Sequence, residues 1–296
     1  MKVADVLIVG AGPAGLTTAL QLRRYGLNPL IFERAEVGGL LKNANLVENY
    51  PGFPGGIPGP ELLRLFKEHA ERISVQVTHE EIVELSFDGR VFQARTSRGN
   101  YHSRVAVIAS GTKPRPLSDL PIPVAFCDRV EYEVFPFLGL HGQDVAIIGA
   151  GDAAFDYALN LSRQNDIQVL NHGERVACLP QLWERASACS RITYRPSTRV
   201  IRIDAASARG MALECSSPAG MIRLQVDYLL VAIGRQPQLD FVSASLLENA
   251  PTLQKQGVFY FVGDVKNDIF RQTAIAVGDG MLAAMQIYQL LKETAL

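Results

Sequence analysis

Gly10-Ala11-Gly12-Pro13-Ala14-Gly15 and Gly149-Ala150-Gly151-Asp152-Ala153-Ala154 are two copies of one kind of glycine-rich turn, each set directly behind an apolar, largely β-branched run. The runs are Val6-Leu7-Ile8-Val9 and Val145-Ala146-Ile147-Ile148, and helical patterns follow over 16–25 and 153–163. Strand, glycine turn and helix in that order open a βαβ unit whose helix start offers backbone amides to a pyrophosphate. The first glycine permits the tight turn, the second lets the backbone approach the phosphates, and the third position lets helix close on strand. One such turn often does no more than join two elements. Two copies in the same context predict two dinucleotide sites on one chain.

With 296 residues, 48% of them hydrophobic, the chain can fill two ordinary cores. A formal charge of -1 provides no global field for nucleic acid or anionic membranes, and neither is expected as a partner. The first five residues run straight into a strand without a signal-like apolar segment, and the apolar stretches have the length of buried strands. A soluble, cytoplasmic protein is therefore expected. The four cysteines, Cys127, Cys178, Cys189 and Cys215, show no C-x-x-C spacing, and most are expected to be reduced, buried small hydrophobes. His69, His79, His102, His141 and His172 show no metal-ligand spacing, so no metal is expected.

After the first unit, 27–32 reads as a second strand ending in Glu33, eighteen residues past Gly15, where an acid accepts the ribose hydroxyls of an adenosine. Residues 75–85 and 91–96 alternate apolar and polar around Asp88-Gly89, a hairpin signal that predicts a small antiparallel layer. Val105-Ala106-Val107-Ile108-Ala109 is a further buried strand, and Pro114, Pro116, Pro121 and Pro123 beyond it mark a boundary. The second unit repeats the plan, with a strand at 167–171, an alternating stretch at 199–203, and a strand and exit at Leu229 to Pro237. The chain then returns through Val258 to Asp264 and closes in a helix over 274–292. The expected fold is α/β, with two Rossmann-like dinucleotide-binding domains of the three-layer ββα type. Residues 1–113 and 237–296 form a discontinuous first domain, and 114–236 form the second.

These pieces, with Gly38-Gly39-Leu40-Leu41, the run from Val47 to Pro54, Ser110-Gly111-Thr112 and Arg271-Gln272, resemble the low-molecular-weight thioredoxin reductases and their flavoprotein relatives over essentially the whole chain. The resemblance implies FAD on the first domain. Gly10, Gly12, Pro13, Ala14, Gly15, Glu33 and Arg34 would hold its ADP half, with Val77, Ser110 and Gly111 in the same site. Gly38, Gly39, Leu40 and Asn49 would lie near the flavin and its ribityl chain. Gly263 and Asp264 would bind the ribityl hydroxyls, and Arg271, Gln272 and Thr273 would touch the isoalloxazine edge. It also implies NADH or NADPH on Gly149, Gly151, Asp152, Ala153, Ala154, His172, Arg175 and Gly234, and a homodimer. Rotation about 113–116 and 234–237 is expected from the short paired connections.

Two departures from that family stand out. Where its members carry a His-Arg-Arg cluster for the 2′-phosphate of NADPH, this chain has His172-Gly173-Glu174-Arg175, which removes guanidinium donors and adds a repelling charge, favouring NADH. Where its members carry the redox dithiol, the matching stretch reads Cys127-Asp128-Arg129-Val130-Glu131. Cys127 takes the first cysteine's place, Val130 the second's, and Glu131 that of a proton-shuttling acid. A dithiol relay needs two sulfurs. Cys127 and Glu131 are the candidate catalytic residues, with Cys127 also readable as a buried leftover. The expected function is an FAD-dependent oxidoreductase passing electrons between a nicotinamide nucleotide and a non-dithiol acceptor: a redox carrier protein, a small disulfide or a quinone. The alternatives are a sensory FAD-binding protein and a ferredoxin or flavodoxin reductase.

Overall fold

The computed structural model describes residues 3–206 and 210–293. The chain forms two compact units, one comprising the residues up to Lys42, Val47–Lys113 and the stretch from Gln236, the other Asn43–Leu46 and Pro114–Arg235. The tetrapeptide 43–46 falls within the 1–113 segment expected in the first domain. Hydrogen bonds from Asn43 to Glu133, Phe135 N–H to Asn43, Asn45 N–H to Asp156 and Arg163 to Asn45 place this tetrapeptide with the second.

The first unit is a seven-stranded sheet in the order 77–78, 30–32, 3–9, 100–108, 92–95, 84–87, with 259–261 also paired to 100–108. Val3–Val9 lies parallel to both Leu30–Phe32 and Asn100–Ile108, and the period of two sends its side chains to opposite layers. Val6 and Ile8 pack with Leu16, Leu22 and Ile287 of the helices Pro13–Arg24 and Thr273–Glu293. Leu7 and Val9 pack with Leu85, Phe92 and Phe259 on the other face. Burying each such side chain contributes roughly 1.5–3 kcal/mol, and the two-sided burial explains why the run is apolar throughout rather than alternating.

The stretch expected as one long strand from 75 divides in two. Val77–Thr78 joins the parallel edge, whereas Glu84–Phe87 pairs antiparallel with Phe92–Arg95 around the Asp88 turn. The helices Gly59–Arg72 and Ala244–Lys255 go beyond the elements read from the sequence; Pro58 and Pro60 stand at the start of the first and Pro251 lies inside the second. The first two prolines sit at the helix entrance, where a missing N–H costs nothing.

The second unit repeats the plan. Its five-stranded parallel sheet runs 192–195, 166–170, 144–148, 228–231, 130–131. Val145 and Ile147 face Phe155, Ala158 and Leu161 of the helix Asp152–Leu161. Ala146 faces Leu213, Cys215 and Val226 of an antiparallel layer formed by Arg199–Ala205, Met211–Ser217 and Gly220–Val226. The passages between units, Thr112–Pro114 and Arg235–Pro237, pair as a two-stranded ribbon.

Thr273–Glu293 is long and apolar enough to span a membrane by length and composition alone. In this fold it is a packing helix: a Cβ on its Gly280 would lie 2.3 Å from Ala14 O, and Thr18 Oγ1 donates to Gly280 O at 3.2 Å.

Candidate functional site

In the first unit the site is built at the carboxyl ends of the parallel strands. Gly10 has φ +100°, and a Cβ there would stand 2.4 Å from Ala109 O. A Cβ on Gly15 would stand 1.9 Å from Gly10 O, so only glycine lets the helix close on its own turn. Gly12 has nothing within 4 Å of its would-be Cβ, and no side chain caps the helix start beyond it. That open space above uncapped amides suits a pyrophosphate.

Glu33 follows the strand Leu30–Phe32. Its Oε2 accepts Ala11 N–H at 2.8 Å and its Oε1 accepts Ala35 N–H at 3.0 Å, which orients the carboxylate while leaving lone pairs for a diol. Beside it a cleft of about 380 Å³ is lined by Phe32, Glu33, Arg34, Glu80, Ile82, Ser110 and Gln238, a size suited to an adenosine. Arg34 is exposed and pairs with Glu81 at 3.6 Å. Ser110 Oγ donates to Gln238 O at 2.6 Å, and Gln238 N–H to Gly111 O at 3.1 Å. Val77 borders this edge through the pairing of its strand with Ile31.

The remaining candidates converge from distant positions. Gly38 N–H donates to Ala11 O at 2.8 Å, and a Cβ on Gly39 would lie 3.5 Å from Gly12 Cα. Leu40 follows in the short helix Gly39–Asn43. Asn49 Nδ2 donates to Gln272 Oε1 at 2.8 Å across 223 positions, joining two residues assigned to the flavin end. Gly263, at φ +74°, brings the Asp264 turn to 2.9 Å between its would-be Cβ and the Ala14 Cβ. Arg271 and Gln272 lead from that turn into the helix beginning at Thr273.

The second unit reproduces the first bond for bond. Gly10 N–H to Phe32 O (2.8 Å) is matched by Gly149 N–H to Leu170 O (2.9 Å), Ala109 N–H to Val9 O (2.8 Å) by Ala232 N–H to Ile148 O (2.8 Å), and Gly38 N–H to Ala11 O (2.8 Å) by Ala177 N–H to Ala150 O (2.9 Å). A Cβ on Gly149 would lie 2.3 Å from Ala232 O. Asp152 Oδ1 accepts Leu179 N–H at 2.7 Å, and Ala153 is exposed while Ala154 is buried. Gly234, at φ +105°, accepts Arg115 N–H at 3.0 Å.

This correspondence makes Asn171 the counterpart of Glu33. Asn171 is 5% exposed; its amide donates to Arg175 O and Tyr194 OH, both at 2.9 Å, and its Oδ1 accepts Gly173 N–H at 3.0 Å. The counterpart of Glu33 is thus neutral and turned inward. His172, Glu174 and Arg175 are exposed on the turn that it pins.

Cys127 corrects an expectation: it is exposed at the end of the short helix Val124–Phe126, not buried, and Cys178 and Cys189 are half-buried. Only Cys215 is buried, and all four are free thiols. Glu131 lies in the strand Val130–Glu131; burial, reinforced by the charge of Glu133, holds its carboxyl above the usual range. Sequence reasoning missed Glu133, two residues on. It forms an ion pair with Arg235 and accepts from Asn43 Nδ2 at 2.7 Å and from Tyr157 OH at 3.5 Å. Burial and the Glu133 charge push the Tyr157 hydroxyl upward. Among the described residues no group of His, Cys, Asp and Glu is arranged to hold a metal.

Residues 4–280 match the pyridine nucleotide-disulphide oxidoreductase family. The chain is 31% identical to the thioredoxin reductase of Streptomyces coelicolor over 96% of its own length and 92% of the relative's. It is 30% identical to the bifunctional thioredoxin reductase/thioredoxin of Mycobacterium leprae over 98% of its length, spanning 66% of that longer protein. Among solved structures it matches the thioredoxin reductase of Lactococcus lactis with a TM-score of 0.86 at 24% identity, over 98% of this chain and 99% of that one.

Proposed function

The chain belongs to the pyridine nucleotide-disulphide oxidoreductase family, and from that premise we propose an FAD-dependent oxidoreductase of thioredoxin-reductase-like type that passes electrons between a nicotinamide nucleotide and an acceptor reached without a dithiol on this chain. That acceptor is a redox carrier protein, a small disulfide or a quinone. When bound, FAD takes up the two electrons of a hydride and passes them on; the protein holds and tunes it. Gly12 and the uncapped helix start would hold the pyrophosphate, Glu33 the ribose, Asp264 the ribityl hydroxyls, and Asn49, Arg271, Gln272 and Thr273 the flavin edge. The open space above Gly12 and the cleft beside Glu33 fit such a group.

The observation that carries the acceptor reading is the cysteine spacing. No two of the four cysteines stand in C-x-x-C, and all four are free. A thioredoxin disulfide is the second reading, favoured by the names of the relatives. Anaerobic addition of NADH and then NADPH to the flavin-loaded protein, followed by turnover with quinone, ferredoxin, flavodoxin, a small disulfide and thioredoxin, separates the two. We expect turnover with one of the first four and unchanged rates in Cys127→Ser. Turnover confined to thioredoxin and abolished in Cys127→Ser overturns the proposal, and absence of turnover with every acceptor returns it to a sensory flavoprotein.

Nucleotide choice belongs to the same reading. A neutral, inward-turned Asn171 and an exposed Glu174 beside Arg175 are poor partners for a 2′-phosphate, whose recognition relies on paired guanidinium donors. NADH is therefore expected to reduce the flavin at least as well as NADPH in stopped-flow titration. A preference for NADPH of tenfold or more would refute this.

A further inference from the structure

The turn that presents Asp264 is held by a carboxylate that no motif announces. Asp279 lies within the helix Thr273–Glu293, its side chain 15% exposed. Its Oδ2 accepts Gly263 N–H at 3.0 Å and Asn267 Nδ2 at 2.6 Å, while Lys266 Nζ stands 2.9 Å from Oδ1. Asn267 Nδ2 also donates to Gly263 O at 3.0 Å, where Lys266 N–H arrives at 3.1 Å. Both backbone groups of Gly263 are thereby tied down by one acid and one amide.

Asp279 has little freedom to relax away from this arrangement. The next residue, Gly280, packs its helix onto the fingerprint helix so closely that a Cβ would meet Ala14 O at 2.3 Å. Gly263 itself is pressed against Ala14, in a left-handed conformation at φ +74°. Burying a carboxylate is costly unless its lone pairs are satisfied, and here three donors converge on it. A turn needed only to reverse the chain would not require that investment. A turn whose next residue must be aimed does.

We propose that Asp279, with Asn267, is a positioning residue for the flavin half of FAD: it fixes the Gly263–Asp264 peptide so that Asp264 meets the ribityl chain. This rests on the FAD reading of Asp264 given above. The consequence is selective. ADP lacks the ribityl and flavin, so its binding depends on Gly12 and Glu33 and not on the Gly263 turn.

Dissociation constants for FAD and for ADP, measured by fluorescence titration and competition, test this in Asp279→Asn, Asn267→Ala, Lys266→Ala and Asp264→Asn. Asp279→Asn sets an amide group against the converging donors, and FAD is expected to bind about ten- to a hundredfold more weakly, the usual scale for hydrogen bonds to a charged group. ADP affinity should be unchanged, and the visible bands of the bound flavin should shift at saturating FAD. Asn267→Ala is expected to act in the same direction and stands in should Asp279→Asn fail to fold. Lys266→Ala, which leaves both Gly263 bonds, is expected to change neither constant. If Asp264→Asn weakens FAD while Asp279→Asn and Asn267→Ala leave it intact, the positioning role is wrong. Parallel loss of FAD and ADP in Asp279→Asn, which marks general damage, overturns it too. An Asp264→Asn variant that binds FAD normally overturns instead the reading on which the inference rests.

Discussion

Gly10 and Gly12 are neighbours with opposite reasons for being glycine. Gly10 combines φ +100° with a would-be Cβ 2.4 Å from a backbone carbonyl, so Gly10→Ala is expected to cost about 2–5 kcal/mol of stability in urea unfolding. Gly12 has φ -74° and an empty surround, so Gly12→Ala should leave the urea midpoint unchanged yet weaken FAD binding, because the new methyl occupies phosphate space. A stable Gly12→Ala variant with unimpaired FAD binding contradicts that account. These two positions were legible in the sequence because the fingerprint spacing fixes both: the backbone demands glycine at Gly10, and room for a phosphate demands it at Gly12. The cysteines were not, since burial of a small side chain depends on which layer covers it. Cys215, under the antiparallel layer of the second unit, is 0% exposed, and burial pushes its thiol up to about 11. Cys127 sits on an exposed short helix. A thiol reagent at pH 8 is therefore expected to label Cys127 in the native protein and Cys215 only after denaturation.

At the scale of single elements, strand ends decide what the motifs cannot. The strands ending at Phe32 and Leu170 are equivalent because each accepts the N–H of the first fingerprint glycine, which aligns Glu33 with Asn171. The sequence reading places His172 in the cluster facing a 2′-phosphate and names no counterpart of Glu33 in the second unit, because only the bond to Leu170 O fixes where that strand ends. Glu133 and Asp279 were illegible for a different reason: neither belongs to a motif, and the meaning of each comes from partners that only the fold supplies, Arg235 in one case and Gly263 in the other. Strand beginnings carry a prediction of their own. Asp144, Asp166 and Asp227 stand together where adjacent strands of the second sheet begin, and Asp144 is held above the usual carboxylate range, by burial first and by the two neighbouring charges second. A raised folded value means that the folded state favours the protonated acid, so its contribution to stability is present below the ordinary aspartate range and is lost as pH rises through the raised value. Asp144→Asn should accordingly raise the melting temperature at pH 7, with the gain shrinking towards zero below about pH 4. An equal gain at both pH values would show that charge is not the cause.

Across the whole molecule, the repeat was legible because it depends on local order alone: an apolar run, a glycine turn and a helical pattern, twice. The helices Gly59–Arg72 and Ala244–Lys255 lie outside the repeated unit, and the layer covering the second sheet is read only at 199–203, although Ile222-Arg223-Leu224-Gln225-Val226 alternates as strictly. Each unit nevertheless has its own two-sided core around its own fingerprint strand, Val3–Val9 in one and Asp144–Ile148 in the other. A ligand stabilises the cooperative unit whose native form it binds, by about 2.7 kcal/mol at a hundredfold excess over its dissociation constant. Native-state hydrogen exchange therefore distinguishes two dinucleotide sites from one. FAD is expected to raise protection in Val3–Val9 and Asn100–Ile108, and a nicotinamide nucleotide in Asp144–Ile148 and Tyr228–Val231. The amides of Gly10 and Gly149, which bond to Phe32 O and Leu170 O, serve as matched reporters at the two turns. Should both ligands protect the same strands, the second fingerprint would be a structural echo of the first, and the nicotinamide nucleotide would have to deliver its electrons from some other place.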